Sequence, residues 1–311
     1  MTIKEFVERI FVPEHVAMKS PSGRIHYQAM LKHVLKPEDV NDIFRASTEP
    51  LKTKLRAVPD WPYLGQMLLC DTRSEDVQQI ITAAIAHGYS TQTVTHIRNT
   101  IVCIFEHAIR GRWVTGSNPA RWAANPEMVR KETHSLTLIQ TEQVLEKMQY
   151  PEKEMALMAL ITGMNMAEIC GLQWRFVNLT SDSCDLGGDP IPPRTIAVRN
   201  NWYLGELRRM NGRRSRARDL PIPDPLLPVL LGLKSRAEFI GPDDFVLVSR
   251  DGNPINQRNI AVRRLGPIGE QLQMPWLSWH VFGRTRINLL YEYGVKFQEL
   301  IIVPAVKESQ N

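Results

Sequence analysis

The sequence contains little cysteine and no long apolar run. Its four cysteines, at positions 70, 103, 170 and 184, form no CxxC pair and are too sparse for a disulfide scaffold. Its apolar runs, such as residues 155–161 and 226–233, are far shorter than the roughly 20 residues that span a bilayer. The N-terminus carries acidic residues and lacks the apolar core of a signal peptide. These absences predict a soluble cytoplasmic protein without a membrane partner.

Glycine and proline are also too few and too scattered for a collagen-like or linker-like chain, at 18 and 21 residues. A hydrophobic fraction of 43% with 23% charged residues excludes wholesale disorder. The length of 311 residues suggests two domains, because a domain usually has roughly 100–200 residues.

Lysine is absent from a strongly basic segment, residues 194–218, in which Glu206 is the only acid. Its eight arginines are Arg194, Arg199, Arg208, Arg209, Arg213, Arg214, Arg216 and Arg218. The segment is either a solvated basic loop or a binding surface for a polyanion. A dense cluster of one sign repels itself unless an anion neutralises it, and arginine contacts phosphate in a planar, bidentate way. We therefore favour a nucleic-acid backbone as the partner, which the net charge of +5 permits.

Apolar spacing predicts a helical domain over residues 1–124, a polar linker over 125–135 and a mixed α+β domain over 136–311. Thr2 and Glu5 form a predicted capping box at the first helix. The clearest later helix follows Ser90 and carries an apolar stripe. In the second domain, alternating residues on both sides of the arginines predict a hairpin, and residues 245–248 predict a strand. The predicted fold class is mainly α with a small β-sheet.

Four segments, in this order, resemble the motifs of the tyrosine recombinases, or phage integrases. Residues 90–120 are similar to the last helix of that family's SAM-like, core-binding N-terminal domain. ITGMNMAEICGLQW, at 161–174, resembles the first box, TG-L-R-x-x-E-x-x-x-L-x-W. RSRARDLPIP, at 214–223, resembles the β-hairpin and its exit, and SWHVFGRTRINLLYEYGV, at 278–295, resembles the second box, H-x-x-R-(H)-T. The resemblance implies a catalytic-type second domain that acts on double-stranded DNA.

The resemblance also implies a chemistry that needs no metal and no cofactor. In that family a tyrosine hydroxyl attacks a DNA phosphodiester, two arginines bind the phosphate oxygens, and a lysine and a histidine transfer protons. His280 matches the histidine, but Asn165 stands at the first arginine position and Gly283 at the second. Arg284 is one residue too late, which on a helix is a rotation of about 100°. Arg284 is therefore either a displaced catalytic remnant or a plain surface arginine.

Other positions have simple structural interpretations. Glu168, the acid of the first box, is expected either to form a hydrogen bond on the helix face or to be a helix-cap partner. His280 could instead be a core histidine beside Trp279. The last tyrosines of the sequence, Tyr291 and Tyr293, lie within the second box, where partly buried rings are expected rather than nucleophiles. We expect a chain truncated before the nucleophile segment.

Three hypotheses follow. The first is a recombinase relative that binds duplex DNA through the hairpin arginines and through Thr93 and Arg98, with strand cleavage lost. The second is an active recombinase whose nucleophile comes in trans, from another copy in a homo-oligomer or from a complete paralogue. The third is a DNA-binding regulator. Ser90 and Thr91, by contrast, are expected to be helix caps.

Overall fold

The computed structural model describes residues 1–45, 57–124, 127, 132–185, 190–210, 217–236 and 238–293. The chain divides into two compact units, Met1–Lys131 and Glu132–Asn311, and each has its own buried apolar core. Residues 125, 126 and 128–131 of the expected linker lie outside the described residues. The linker boundaries therefore stay a prediction.

Helices are the regular structure of the described part of the first unit, which otherwise has loops and one isolated bridge between Thr2 and Leu68. Its elements are α1 at Ile3–Phe6, continued by a π-helix at Val7–Val16, α2 at Pro21–Leu31, α3 at Pro37–Ile43, α4 at Ser74–Ala86, α5 at Thr91–Arg110 and a 3-10 turn at Pro119–Arg121. The capping box at the first helix is confirmed, because the Thr2 hydroxyl accepts from the Glu5 amide at 3.2 Å and the Glu5 carboxylate accepts from the Thr2 amide at 2.9 Å.

Helix α5 supplies much of the core of this unit. Its buried apolar stripe consists of Val94, Ile97, Ile101, Ile104, Phe105 and Ala108. The helix begins after Ser90, whose hydroxyl accepts a hydrogen bond from the Thr93 amide at 3.2 Å, so the expected cap is confirmed. It ends at Gly111, as the sequence predicts.

The second unit combines helices with short strands. Its helices are α6 at Leu138–Lys147, α7 at Glu152–Thr162, α8 at Met166–Cys170, α9 at Leu227–Lys234, α10 at Gln257–Ile260, which continues through a π-helix at Ala261–Leu265 into α11 at Gly266–Gln271, and α12 at Trp279–Tyr293. Helix α7 is buried on nearly every side and packs against α12. A helix that is apolar all round belongs in a core, so α7 fixes the centre of this unit.

The strands form small antiparallel sheets. They are β1 at Val177–Asn178, β2 at Cys184–Asp185, β3 at Pro190–Ile191, β4 at Thr195–Val198, β5 at Asn200–Tyr203, β6 at Glu206–Arg209 and β7 at Arg218–Pro221. One sheet has the order β1-β4-β7, while β2 pairs with β3 and β5 pairs with β6. The mainly helical α+β class is confirmed.

The predicted hairpin around the arginines is confirmed and is more elaborate than expected. Ile196 pairs with Leu220 across β4 and β7. In the sequence, the chain forms a separate two-stranded ribbon, β5-β6, between these two strands. The strand predicted at residues 245–248 was wrong. Phe245 and Val248 form only isolated bridges, and the Val246 amide donates to the Leu172 carbonyl at 2.8 Å, so the backbone bonds of this segment go to a loop.

Among the described residues, no helix is both long enough and apolar enough to cross a membrane.

Candidate nucleic-acid interface

The turn between α7 and α8 contains the residues of the first box. Gly163 ends α7 in the left-handed conformation, with φ at 71°. Asn165 then caps α8: its Oδ1 accepts from the Glu168 amide at 3.0 Å, and Glu168 Oε2 accepts from the Asn165 amide at 2.9 Å. The predicted role of Glu168 as a cap partner is therefore confirmed.

Glu168 has a second partner that lies 50 residues away in the chain. Its carboxylate is 2% exposed and accepts from Nη1 and Nη2 of Arg218 at 3.0 and 2.9 Å. This two-point hydrogen bond raises the pKa of Arg218. A buried carboxylate needs such a partner, so the contact joins strand β7 to helix α8.

The turn and the start of β7 enclose a surface cavity of about 430 Å³. It is lined by Gly163, Asn165, Glu168, Ala217 and Arg218. Asn165 and Gly163 are exposed there, whereas Glu168 is buried behind them. The cavity therefore presents a neutral amide at the position that the resemblance assigns to the first arginine.

The arginines of the basic segment have acidic partners, and three of the four partners come from outside the segment. Four of its five described arginines form ion pairs between 2.7 and 2.9 Å. The pairs are Arg194 with Asp224, Arg199 with Asp219, Arg208 with Glu206 and Arg218 with Glu168. Arg209 is exposed and has no ion pair among the described residues. Self-repulsion within the described arginines is thus largely relieved by the protein's own carboxylates.

The first half of α12 carries the second box. His280 is exposed, so it is not the core histidine that its neighbour Trp279 suggested. Gly283 is also exposed, and a Cβ built on it would meet no atom within 4 Å. Residues three apart share a helix face, so His280 and Gly283 lie on one exposed side of α12. An arginine at position 283 would have room, but the chain has none there.

Arg284 has an observed structural contact instead. Its Nη1 donates to the backbone carbonyl of His134 at 3.2 Å. Next to it, Thr285 is fully buried, and its hydroxyl accepts from the Leu136 amide at 2.9 Å. Asn288 Nδ2 donates to the Ser135 hydroxyl at 2.7 Å. Helix α12 thus binds residues 134–136, near the start of the second unit, and Arg284 contributes one of these bonds.

Arg286 was missed by the sequence analysis. Its side chain is half-buried, and its Nε donates only a long hydrogen bond, 3.5 Å, to the Ile161 carbonyl. Burial lowers the pKa of Arg286, and no carboxylate in the described part of the chain pairs with it. One signal was available: residue 286 follows the buried Phe282 by four positions, which places a cation beside the apolar face of the helix.

Thr93 and Arg98, the expected DNA contacts of the first unit, make intramolecular contacts. The Thr93 hydroxyl hydrogen-bonds the Ser90 hydroxyl at 2.9 Å. Arg98 donates from Nε to the Ala123 carbonyl and from Nη2 to the Arg121 carbonyl, both at 2.8 Å. The two Arg98 bonds hold the backbone at residues 121 and 123, and a DNA contact by Thr93 or Arg98 stays a prediction.

Several predicted residues lie outside the described part of the structure. They are Arg213, Arg214 and Arg216 of the basic segment, the side chains of Tyr291 and Tyr293, and the residues from 294 onward.

Solved structures similar to this chain include integrases bound to DNA. The Tn1549 transposon integrase, in complex with circular intermediate DNA, matches with a TM-score of 0.64 and 13% identity, covering 97% of this chain and 91% of that chain. A lambda integrase dimer bound to a COC' core site matches at 0.57 and 16%, covering 98% and 93%. The chain has the tyrosine recombinase fold.

A further tyrosine recombinase match is a lambda integrase tetramer bound to a Holliday junction, at a TM-score of 0.57 and 14% identity, covering 100% of this chain and 80% of that chain. No family model and no curated protein match the sequence, so structural similarity alone carries the fold assignment. Within this tyrosine recombinase fold, the two positions that the sequence resemblance assigns to arginines hold the exposed residues Asn165 and Gly283.

Proposed function

We propose that this chain is a relative of the tyrosine recombinases that binds duplex DNA and does not cleave it by itself. The observation that carries the proposal is a tyrosine recombinase fold with uncharged, solvent-exposed residues, Asn165 and Gly283, at the two arginine positions. The similar integrases were solved on DNA, which supports DNA as the partner. The division into domains 1–124 and 136–311 is part of the same proposal.

We expect DNA binding to use the arginines at positions 208–218 of the basic segment. Arg208 and its partner Glu206 are partly exposed, with 39% and 42% of their side chains accessible. An exposed ion pair contributes only about 0–1 kcal/mol, so a phosphate can replace the carboxylate at little cost. Arg209 has no ion pair with a described residue, so a phosphate that binds it would displace no described carboxylate. Arg213, Arg214, Arg216 and Arg218 are proposed to add phosphate contacts.

Loss of cleavage is expected from the phosphate-binding chemistry. The Asn165 side chain carries no charge, and its Oδ1 is used to cap α8. Gly283 has no side chain, and Arg284 is held by the His134 carbonyl. Removing one preorganised donor to a transition-state charge costs ~10²–10³ in rate. The exposed His280 could still transfer a proton, but the developing phosphate charge would be poorly stabilised.

The binding test is fluorescence anisotropy with random-sequence duplex DNA at several salt concentrations. We expect affinity to fall steeply with salt, and Arg209→Ala to reduce the slope of log K against log salt by about 0.9. Arg45→Ala is the matched control, because Arg45 is an exposed arginine of the first unit that pairs with Asp42. A wild-type protein that ignores duplex DNA at low salt would refute the DNA partner.

The cleavage test is incubation with a nicked suicide duplex, followed by a denaturing gel. We expect no covalent protein–DNA adduct, and an adduct formed by the chain alone would refute the loss of cleavage. A nucleophile donated by a second copy or a complete paralogue would leave Asn165 and Gly283 unchanged. Cleavage that appears only on mixing with an active relative would favour that alternative, whereas binding without cleavage in the mixture fits a DNA-binding regulator.

A further inference from the structure

Arg286 is a half-buried cation without an anionic partner among the described residues. Arg218, at the nearby cavity, is matched by the buried carboxylate of Glu168, and Arg284 donates to a backbone carbonyl. Within the described residues, Arg286 forms a single hydrogen bond, of 3.5 Å, to the Ile161 carbonyl. Partly burying a charge without a counterion is unfavourable, so this guanidinium is poised to gain from an anion that reaches it.

The guanidinium of Arg286 lies against Gly163, a lining residue of the cavity between α8 and β7. A Cβ on Gly163 would lie 3.3 Å from Nε and 3.4 Å from Cζ of Arg286, and Gly163 is one of the cavity's lining residues. Gly163 also has a φ of 71°, a conformation that other residues adopt with strain. Glycine at this position therefore allows the guanidinium to approach the cavity rim closely.

Asn165 adds an uncommitted donor to the same cavity. Its Oδ1 is occupied by the Glu168 amide, while its Nδ2 donates no hydrogen bond within the part of the chain that the structure describes. The residue is exposed and lines the cavity. A neutral amide donor two residues from Gly163, against which the Arg286 guanidinium lies, is a combination that favours an anion with several oxygens.

We propose that Arg286 and Nδ2 of Asn165 bind one phosphate group of the DNA backbone at this cavity. Arg286 lies outside the positions where the sequence resemblance places arginines, so the contact is a new one supplied from a different turn of α12. The Glu168–Arg218 pair shapes the cavity wall but is already internally neutralised. The proposal rests on the proposed DNA binding, and it assigns to Arg286 a positioning role on a phosphate rather than a role in cleavage.

The test compares the salt dependence of duplex binding for the wild type and Arg286→Gln. Loss of one phosphate contact should lower the slope of log K against log salt by about 0.9. Loss of a charge-assisted hydrogen bond should weaken binding at low salt by at least about tenfold. Arg286→Lys keeps the charge without the planar fork, so it should keep most of the slope. An unchanged slope for Arg286→Gln would overturn the proposal.

A matched control separates a local contact from the general loss of one positive charge. Arg250 is an exposed arginine of the same unit, two residues after Val248. The Val248 backbone bonds to the hydroxyl of Tyr150, which precedes the start of α7 by two residues. Helix α7 has 11 residues, so its start lies about 16 Å from Gly163 at its end. Arg250→Gln should leave the slope unchanged. Equal slopes for the two glutamine variants, both below the wild type, would also overturn the proposal.

A second variant guards against a folding defect in Arg286→Gln. Asn165→Asp keeps a side chain that caps helices equally well, but it removes the amide donor and places a carboxylate in the lining of the cavity. Its midpoint of thermal unfolding should be no lower than that of the wild type, and it should lose about the same salt slope, roughly 0.9. Normal DNA binding by a folded Asn165→Asp protein would contradict the proposal.

A measurement without DNA distinguishes this inference from the proposed function. Inorganic phosphate, compared with chloride at equal ionic strength, should raise the thermal midpoint of the wild type and of Arg250→Gln more than that of Arg286→Gln or Asn165→Asp. If the wild type binds no duplex DNA, the proposed function fails. The difference in phosphate stabilisation between the variants then tests the anion site by itself. Equal stabilisation of all four proteins refutes it.

Discussion

Replacing Arg218 with methionine should destabilise the second unit strongly. Glu168 is 2% exposed and receives two hydrogen bonds from Arg218, so Arg218→Met leaves a buried carboxylate whose one remaining partner among the described residues is the Asn165 amide. Removing one partner of a buried ion pair costs about 3–5 kcal/mol. Because 33% of the Arg218 side chain is exposed, water offsets part of this loss. We therefore expect a decrease of about 3 kcal/mol in the free energy of unfolding.

Urea unfolding followed by circular dichroism measures this change. With a slope of about 2–3 kcal/mol/M, the midpoint of the affected transition should fall by about 1 M or more. Arg194→Met is the control, because the Arg194–Asp224 pair is exposed, with 50% and 88% of the side chains accessible. The control should lose less than about 1 kcal/mol. If Arg218→Met is no less stable than Arg194→Met, the buried pair does not join β7 to α8 as we infer.

Three other predictions concern stability. Gly283→Ala should raise the thermal midpoint, because Gly283 is exposed within α12 with open space at its Cβ, and alanine favours an exposed helix by about 1 kcal/mol; a lower midpoint would show that the open space is not there. Thr285→Val should cost about 1–3 kcal/mol in urea unfolding, because the Leu136 amide loses its buried acceptor; a neutral effect would contradict that bond. Burial lowers the pKa of His33 from 6.5 to about 4, so the unfolded chain binds a proton more readily between these values, and stability should fall by up to about 3 kcal/mol as the pH drops through this window. His33→Gln should remove that part of the pH dependence, and identical profiles for the variant and the wild type would refute it.

Local features of the fold could be predicted from the sequence because their causes are local. The apolar stripe of α5 repeats with the helical period, and the Ser90 cap depends on an amide three residues away. The Asn165–Glu168 capping box has the same short range. Such signals are complete within one or two helical turns, so neither the rest of the chain nor the core is needed to read them.

Features that join distant parts of the chain could not be predicted in the same way. The partners of the basic segment include Glu168 and Asp224, which lie outside the run of arginines in which a single acid is visible. Residues 245–248 have the apolar composition of a strand, but their backbone pairs with loop residues and forms only isolated bridges. Arg286 lies against Gly163 because α12 packs against α7. The spacing of residues along the sequence does not reveal this packing.

The attachment of residues 134–136 to α12 has a mechanical consequence. The Leu136 amide, the His134 carbonyl and the Ser135 hydroxyl all bond to α12, about 150 positions further along the chain, and the His134 ring stacks on Trp276 at 4.7 Å. Tension applied from the N-terminal side therefore reaches α12 before it reaches α6. In a single-molecule pulling experiment, these bonds would set the force at which the second unit begins to unravel.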